Sequence, residues 1–301
     1  MIYYMKKIVF VSLIAFVVLS AFLSCTNELQ KKNFTDELQF LNEEICTQID
    51  YENQKGKSKF WGKVGRVCAI VGADIIGAYE GGKIGATVGA AVGTIVGPAG
   101  TTAGTAVGAT VGAAVCGGGA SYAASQGCKN FTDPYPMGYT YTLSSSYANI
   151  DSAGFFHNEY LDLLFKNDTI SSLKIYDELF SNSYDSVLFF TIYEHVGNES
   201  SKFAQVSMVI DNFVSSDYDV DALISDCSSV LCMSETAFEF WKYFFDMLSV
   251  AQNVEDAQFI IENYIKFILE NEDIFDETEI RSLKNALIVG LCSLNYWSIT
   301  L

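Results

Sequence analysis

Basic residues are scarce in this 301-residue chain: 18 lysines and arginines stand against 36 aspartates and glutamates, a formal net charge of −18. That balance lacks the basic footprint that nucleic-acid binding requires. Histidine is scarcer still, with only His157 and His195, and no Cys-x-x-Cys occurs, so the ligand spacings of a zinc site are missing. There is no Gly-x-Ser-x-Gly turn to present a nucleophile. No phosphate loop ends in Gly-Lys-Ser/Thr either, since Gly82-Lys83 is followed by Ile84. These absences assign no catalytic residue, cofactor or metal ligand. Charged residues make up 18% and apolar residues 50%, a composition that buries a core and excludes a disordered chain.

What the chain has in place of such motifs is phased glycine. Gly77, Gly81, Gly85, Gly89, Gly93 and Gly97 recur at every fourth position. After Pro98 the register slips by one and resumes at Gly100, Gly104, Gly108 and Gly112. Each interior glycine costs a helix about 1 kcal/mol against alanine, so the pattern requires a compensating contact, and close helix–helix packing is the usual one. Ile84, Val88, Val92, Val96, Val107 and Val111 each precede a glycine, so a β-branched ridge runs beside the groove. The period of four exceeds 3.6, which implies right-handed wrapping. Gly97-Pro98-Ala99-Gly100 is a turn signal at the slip. The expectation is a glycine-zipper hairpin of two antiparallel helices over 60–127.

Whether this hairpin crosses a membrane is open at this level. Ile84 to Cys128 is 45 residues without a charge, which favours insertion. Yet the first arm has only 13 uncharged residues before the turn, Ile84 to Val96. That is about 20 Å of helix against a hydrocarbon core of about 30 Å. Extending the arm takes in Lys83, Glu80 and Asp74; the first two pair at i,i+3, but buried charge is costly. The second arm, Thr101 to Ala120, is long enough and only weakly hydrophobic. The alternative is a hairpin packed on itself, on copies of itself or on the C-terminal part.

At the N-terminus, Lys6 and Lys7 precede an apolar run of 16 residues, Ile8 to Leu23. This is shorter than a membrane span and suits a secretory leader, residues 1–24. Phe22-Leu23-Ser24-Cys25 resembles a lipobox, of the loose type ending in Ser-Cys found in Bacteroidetes-type bacteria. The resemblance implies lipid attachment, including palmitate, at Cys25. Thr26 stands where an Asp would imply inner-membrane retention in enteric-type sorting, so the same resemblance implies the outer membrane. Residues 25–59 read as a tether with one short amphipathic helix around 36–45. Lys55, Lys57, Lys59, Lys63 and Arg66 surround Trp61, a grouping that suits either a membrane interface or a solvated stretch ahead of a helix.

Seven cysteines remain beside Cys25, an odd number that cannot all pair within the chain. Cys116 with Cys128 and Cys227 with Cys232 are the closest pairs in sequence. Buried free thiols are the favoured expectation.

Residues 128–150 hold two of the three prolines, in Asp133-Pro134-Tyr135-Pro136, and mark a linker. Residues 151–301 read as an acidic, aromatic-rich all-α domain, so the fold class expected for the whole chain is all-α. From Phe131 onward 27 acidic residues face 7 basic ones, a solvated acidic surface. Helices are expected around 156–166, 170–181, 186–196 and 200–214, with a strand as the alternative at Val187-Leu188-Phe189-Phe190. Ser234 to Val250 carries Phe238, Trp241, Phe244, Phe245 and Leu248 at helical spacing. Val254 to Leu269 carries Phe259, Ile260, Tyr264, Phe267 and Ile268. Asp276 with Glu279 forms a capping box for a helix to about Ser298. His157 and Asp162 are the polar-site candidates, for acid–base work or for a buried hydrogen-bonding role; at i,i+5 they do not share a helix face. His195 reads as a helix C-terminal cation. Asp217, Asp219 and Asp221 alternate like a calcium loop, but Ala222 and Ser228 replace the required Gly and Glu.

The lipobox and the zipper glycines together resemble the glycine-zipper lipoproteins of Gram-negative outer membranes, over residues 1–127. The later part, with His157-Asn158-Glu159-Tyr160-Leu161-Asp162 and the Tyr296-Trp297 ending, resembles uncharacterised exported Bacteroidetes proteins, which brings no activity with it. The expectation is a non-enzymatic envelope lipoprotein whose hairpin packs or inserts at the membrane, with the bilayer, and copies of itself through the zipper, as partners. A secreted pore-forming or bacteriocin-like protein and an enzyme housed in the C-terminal domain are the two alternatives.

Overall fold

The computed structural model describes residues 33–49, 63–94, 97–127, 152–166, 200–216, 219–231 and 233–298. Every regular element among them is helical, so the fold is all-α. The leader, Cys25, the linker over 128–150, Val187-Leu188-Phe189-Phe190, His195 and the segments around 170–181 and 186–196 lie outside the described residues, as do Lys55, Lys57, Lys59 and Trp61.

The chain divides into two compact units, Met1–Asp50 and Tyr51–Leu301. The first contains α1, residues 33–48. Phe34, Leu38 and Ile45 share one buried face at helical spacing, while Phe40 stands off that face and is 67% exposed.

The second unit is built on α2 (Lys63–Gly93) and α3 (Pro98–Gly127). They are joined by a tight turn in which Gly97 has φ +94°, a conformation costly for any residue with a Cβ. Its N–H donates to the Thr94 carbonyl (3.1 Å), and Pro98 opens the next helix, where its missing N–H is not needed. The arms are antiparallel with their glycines in register: Gly81 lies on Gly112, Gly85 on Gly108, Gly89 on Gly104 and Gly93 on Gly100. A Cβ at any of Gly85, Gly89, Gly104 or Gly108 would fall inside the radius of the carbonyl oxygen of the glycine it faces. Only hydrogen on Cα permits that approach, and the contacts it leaves are of the Cα–H···O type.

Below the glycine seam, α2 is buried on every side from Val67 to Gly82. The cause is α9 (Glu277–Ser298), which packs antiparallel against it: Ser282 lies on Gly82, Gly290 on Ile75, and Ser293 meets Asp74. Short α4 (Ser152–Lys166) covers α3 and α9 at the same level, with Gly154 seated on Cys292 and Gly118 under Tyr160. The remaining α-helices among the described residues are α5 (Ser200–Ser215), α6 (Val220–Val230), α7 (Glu235–Leu248) and α8 (Val254–Glu270). Helix α7 presents Phe240, Trp241, Phe244, Phe245 and Leu248 to the core; Phe240 takes the buried place expected for Phe238, which is half-buried. Trp241 meets Tyr79 of α2 edge-on (centroids 5.5 Å), and Tyr264 of α8 meets Phe244 (5.0 Å). The hairpin base and the helices after the linker therefore share one core.

Helix ends follow local chemistry. Ser234 caps α7 and Asn253 caps α8. Asp276 accepts the Glu279 N–H (2.8 Å), one half of the expected capping box. The reciprocal half is diverted: Glu279 Oε1 instead accepts from Ser234 Oγ (2.5 Å) and Tyr79 Oη (3.2 Å), tying the starts of α7 and α9 to α2.

Substituting alanine separates the seam glycines from the rest. Gly89→Ala forces a methyl onto the Gly104 carbonyl and is expected to lower stability by about 1–3 kcal/mol, despite its better helix propensity. Gly119→Ala, with nothing within 4 Å of the added carbon, is expected to gain up to about 1 kcal/mol. Urea unfolding midpoints of the two variants check this, and a loss at both sites would contradict the seam.

Candidate functional site

Asp74 is the one charged side chain that α2 carries between Val67 and Tyr79, and it is fully buried. It points to the place where α2, α3, α4 and α9 converge. Its Oδ2 accepts a hydrogen bond from Ser121 Oγ of α3 (2.9 Å) and another from Ser293 Oγ of α9. Ser121 in turn accepts from the indole N–H of Trp297 (2.9 Å), which is also buried.

His157 of α4 completes the cluster, with Nε2 3.6 Å from Asp74 Oδ2 and no exposure of either side chain. Its Nδ1 lies 2.9 Å from Asn158 Oδ1. Asn158 Nδ2 donates to the Cys292 carbonyl (3.2 Å), so the amide oxygen must face the imidazole and accept from Nδ1–H. In the neutral ring this leaves Nε2 as a bare acceptor facing the Asp74 carboxyl. Neither Nε2 nor Asp74 Oδ1 has a hydrogen-bond partner among the described residues.

Burial sets the protonation of both groups. It pushes Asp74 well above the usual carboxylate range, against a smaller opposing pull from the two serine hydroxyls. It pushes His157 down to about 4, against Asn158 and the Gly117 carbonyl, which favour the protonated ring. At 3.6 Å the two are beyond a strong hydrogen bond, and a dry interior penalises each charge. The pair is therefore held with one proton and no net charge, Asp74 protonated and His157 neutral.

Of the two sequence candidates, His157 takes the buried hydrogen-bonding role and Asp162 does not join it. Asp162 lies at the rim of α4, where its Oδ1 accepts from Tyr296 Oη (2.9 Å) and its Oδ2 meets Lys166 (3.4 Å). His157 meets Asp74 instead, and Asp74 is held by Ser121 and Ser293, with Trp297 behind Ser121; none of these four was a site candidate in the sequence. One signal was available: a lone aspartate inside the apolar stretch 67–79. The serines gave none, being 47 and 219 residues away from Asp74.

The chemistry open to this cluster is limited by its geometry. Both serine hydroxyls direct their protons to Asp74, so neither forms a nucleophile–base pair with His157. No group of three or more His, Cys, Asp or Glu among the described residues is placed to hold a metal ion. Asp219 is a helix cap, accepting from the N–H groups of Asp221 (2.9 Å) and Ala222 (3.2 Å) at the start of α6. Cys68, Cys116 and Cys227 are buried free thiols; burial pushes Cys68 up to about 12 and raises Cys116 and Cys227 further, which leaves these three unreactive. Lys83 pairs with Glu80 at i,i+3 (3.4 Å), as the spacing implies, and lies 5.1 Å above the Tyr79 ring. Compared with protein-family models, curated proteins and solved structures, the chain matches none.

Ser121 is the hinge of the cluster because it serves two partners. Ser121→Ala leaves the Trp297 indole N–H buried without an acceptor and is expected to cost about 2 kcal/mol. Ser125→Ala, one turn later, removes only a bond to the Tyr122 carbonyl of the same helix and is expected to be near neutral. Equal midpoints for the two variants in urea unfolding would contradict this assignment.

Proposed function

We propose that the protein is a non-enzymatic, lipid-anchored component of a bacterial envelope whose distal hairpin engages the bilayer. The anchor is Cys25, after Lys6-Lys7 and the apolar run to Leu23. The observation that carries the membrane contact is the surface chemistry of the hairpin beyond Lys83. Among the described residues from 84 to 112, those with exposed or half-exposed surface are alanine, threonine, valine, proline and the turn glycine. Every threonine of this region donates its hydroxyl to a backbone carbonyl three or four residues before it. Thr87 bonds Lys83 O (2.9 Å), Thr94 bonds Ala91 O (2.6 Å), Thr101 bonds Gly97 O (3.3 Å), Thr102 bonds Pro98 O (3.4 Å), Thr105 bonds Thr101 O (2.8 Å) and Thr110 bonds Ala106 O (3.1 Å). A surface with no charge and no unspent side-chain donor suits surroundings that cannot hydrogen-bond back.

The depth of contact follows from where the protein core ends. From Thr87 to the turn the arm advances about 15 Å, half of a hydrocarbon core of about 30 Å. Helix α3 is apolar and long enough to cross a membrane over Pro98–Ser125, but 67% of its 18-residue apolar window is buried inside the protein. Its lower half already has α2, α4 and α9 as partners. The reading is therefore insertion of the tip into one leaflet, with the base and its Asp74, Glu80 and Lys83 remaining in the water-facing body. The glycine stripes are spent within one chain, so a second copy would meet the outer threonine and alanine faces.

Two measurements bear on this. Palmitate incorporation in cells should be sensitive to globomycin and abolished by Cys25→Ser; unlabelled protein released into the medium would sink the anchor. Val92→Cys and Val107→Cys should resist a membrane-impermeant maleimide in intact cells, above the wild-type background, and react after detergent. Free reaction at both sites would rule out insertion. Dye leakage from liposomes caused by the purified mature chain would favour the pore-forming alternative instead.

A further inference from the structure

The Asp74–His157 pair sits where four helices meet, and one of them, α4, is the short outer one. The pair is buried completely, and two of the four buried side-chain polar atoms with no hydrogen-bond partner among the described residues, Asp74 Oδ1 and His157 Nε2, belong to it; the others are Trp241 Nε1 and Arg281 Nε. Among the described side chains of the four helices, no other charge is placed to compensate a change in its own. Helix α3 contains no ionisable acid or base apart from Cys116 and Tyr122. On α2, Glu80 and Lys83 pair with each other, and the other basic residues, Lys63 and Arg66, stand two turns or more towards its start. On α4, Asp162 pairs with Lys166 and Tyr296 at the rim, and Glu159 and Tyr160 are half-buried beside them. On α9 the neighbours are Cys292 and Tyr296, while Glu277, Glu279, Arg281 and Lys284 lie at its far end. The pair must therefore balance its own charge.

We propose that Asp74 and His157 form a proton-operated clamp, which holds α4 against α2, α3 and α9 while it carries one shared proton and loosens when that proton is lost. The argument needs only the number of protons, not which of the two groups carries the shared one. Closed, the pair holds one proton. With α4 lifted, both groups are hydrated and take ordinary values of about 3.9 and 6.5. The open form then holds no proton above pH 6.5 and one proton between about 4 and 6.5.

The sign follows from linkage. Asp74 is raised in the closed form, so its contribution is whole at low pH and is lost as pH rises. His157 is lowered, so its contribution is whole above its ordinary value and is lost as pH falls. Between about pH 4 and 6.5 the two slopes cancel, and opening does not depend on pH. Above 6.5 only the Asp74 slope remains, and opening becomes tenfold more frequent for each pH unit, until Asp74 ionises in place. The clamp is thus tight in mildly acidic surroundings and loosens in alkaline ones.

The two isosteric variants change this profile in different ways. In Asp74→Asn only the histidine titrates, so opening is flat above 6.5 and rises tenfold per unit as pH falls below it. In His157→Gln only the aspartate titrates, so opening climbs tenfold per unit from about pH 4 upward. Amide hydrogen exchange of α4 in the purified full chain, corrected for its intrinsic pH dependence, reads the opening between pH 5 and 9. The Cys292 thiol, covered by Gly154 of α4, gives a second readout through its reaction with excess thiol reagent, corrected for thiolate fraction. The expected result is a wild-type profile that is flat to 6.5 and then rises, with the Asp74→Asn profile reversed. Parallel profiles for wild type and Asp74→Asn, or a wild-type profile flat to pH 9, would overturn the clamp. Should Asp74→Asn not fold, a His157→Gln profile that matches wild type between pH 5 and 6.5 overturns it equally.

Discussion

The rest of this structure depends on how closely α2 and α3 approach. Their separation is set by glycine facing glycine at Gly81–Gly112, Gly85–Gly108, Gly89–Gly104 and Gly93–Gly100. A seam this narrow has two consequences. It recovers, through close backbone packing, the helix propensity that the glycines forfeit. It also makes the pair slim enough for one further helix, α9, to reach α2 along its lower half while touching α3. Larger residues in the seam would push the arms apart and move Asp74 on α2 away from Ser121 on α3.

Burial on all sides explains how α2 tolerates Asp74. A carboxyl on a half-exposed helix would turn to water and ionise. Here α3, α4 and α9 close around it, and the three supply donors and a weak base in place of solvent. Each partner is itself committed: Ser121 to Trp297 and His157 to Asn158. A buried polar group is tolerable when its neighbours are satisfied, and the departures from that rule within the cluster, at Asp74 Oδ1 and His157 Nε2, belong to the pair that carries the shared proton.

The hairpin was legible from the sequence because its signal is a spacing. The phase slip at Pro98 became a turn at Gly97, and the glycines from Gly81 to Gly93 and from Gly100 to Gly112 became the two faces of the contact. The helices α7 and α8 were legible from amphipathic stripes, with Phe240 for Phe238 as a two-residue misreading of a helix whose aromatics nearly encircle it. What was not legible was the covering of α2. A helix apolar all round reads the same whether lipid or protein surrounds it, and the deciding partner, α9, follows some 200 residues later. The polar cluster was hidden for the same reason. Its members come from four separate helices, and serine carries no periodic signature. His157 was visible as a residue, but its neighbour in sequence, Asp162, was not its neighbour in space.

A repeating seam also poses a problem that the polar cluster solves. Sliding one arm by four residues places glycine on glycine again, so the seam specifies distance without specifying register. Non-repeating contacts must choose. The tight turn at Gly97-Pro98 is one, and it acts at the far end of the hairpin. Ser121 is another, at the base: a four-residue slip carries it about 6 Å along the axis, which breaks both its bond to Asp74 and the bond it accepts from Trp297. Polar groups buried at a helix interface are best attested in this role of fixing register. The two ends of the hairpin are thus pinned by different means, a backbone turn at the tip and a hydrogen-bonded acid at the base. Between them the glycines need only be small. That division leaves the outer surface of the tip without a structural duty toward the core, and there the composition departs furthest from that of a water-facing helix.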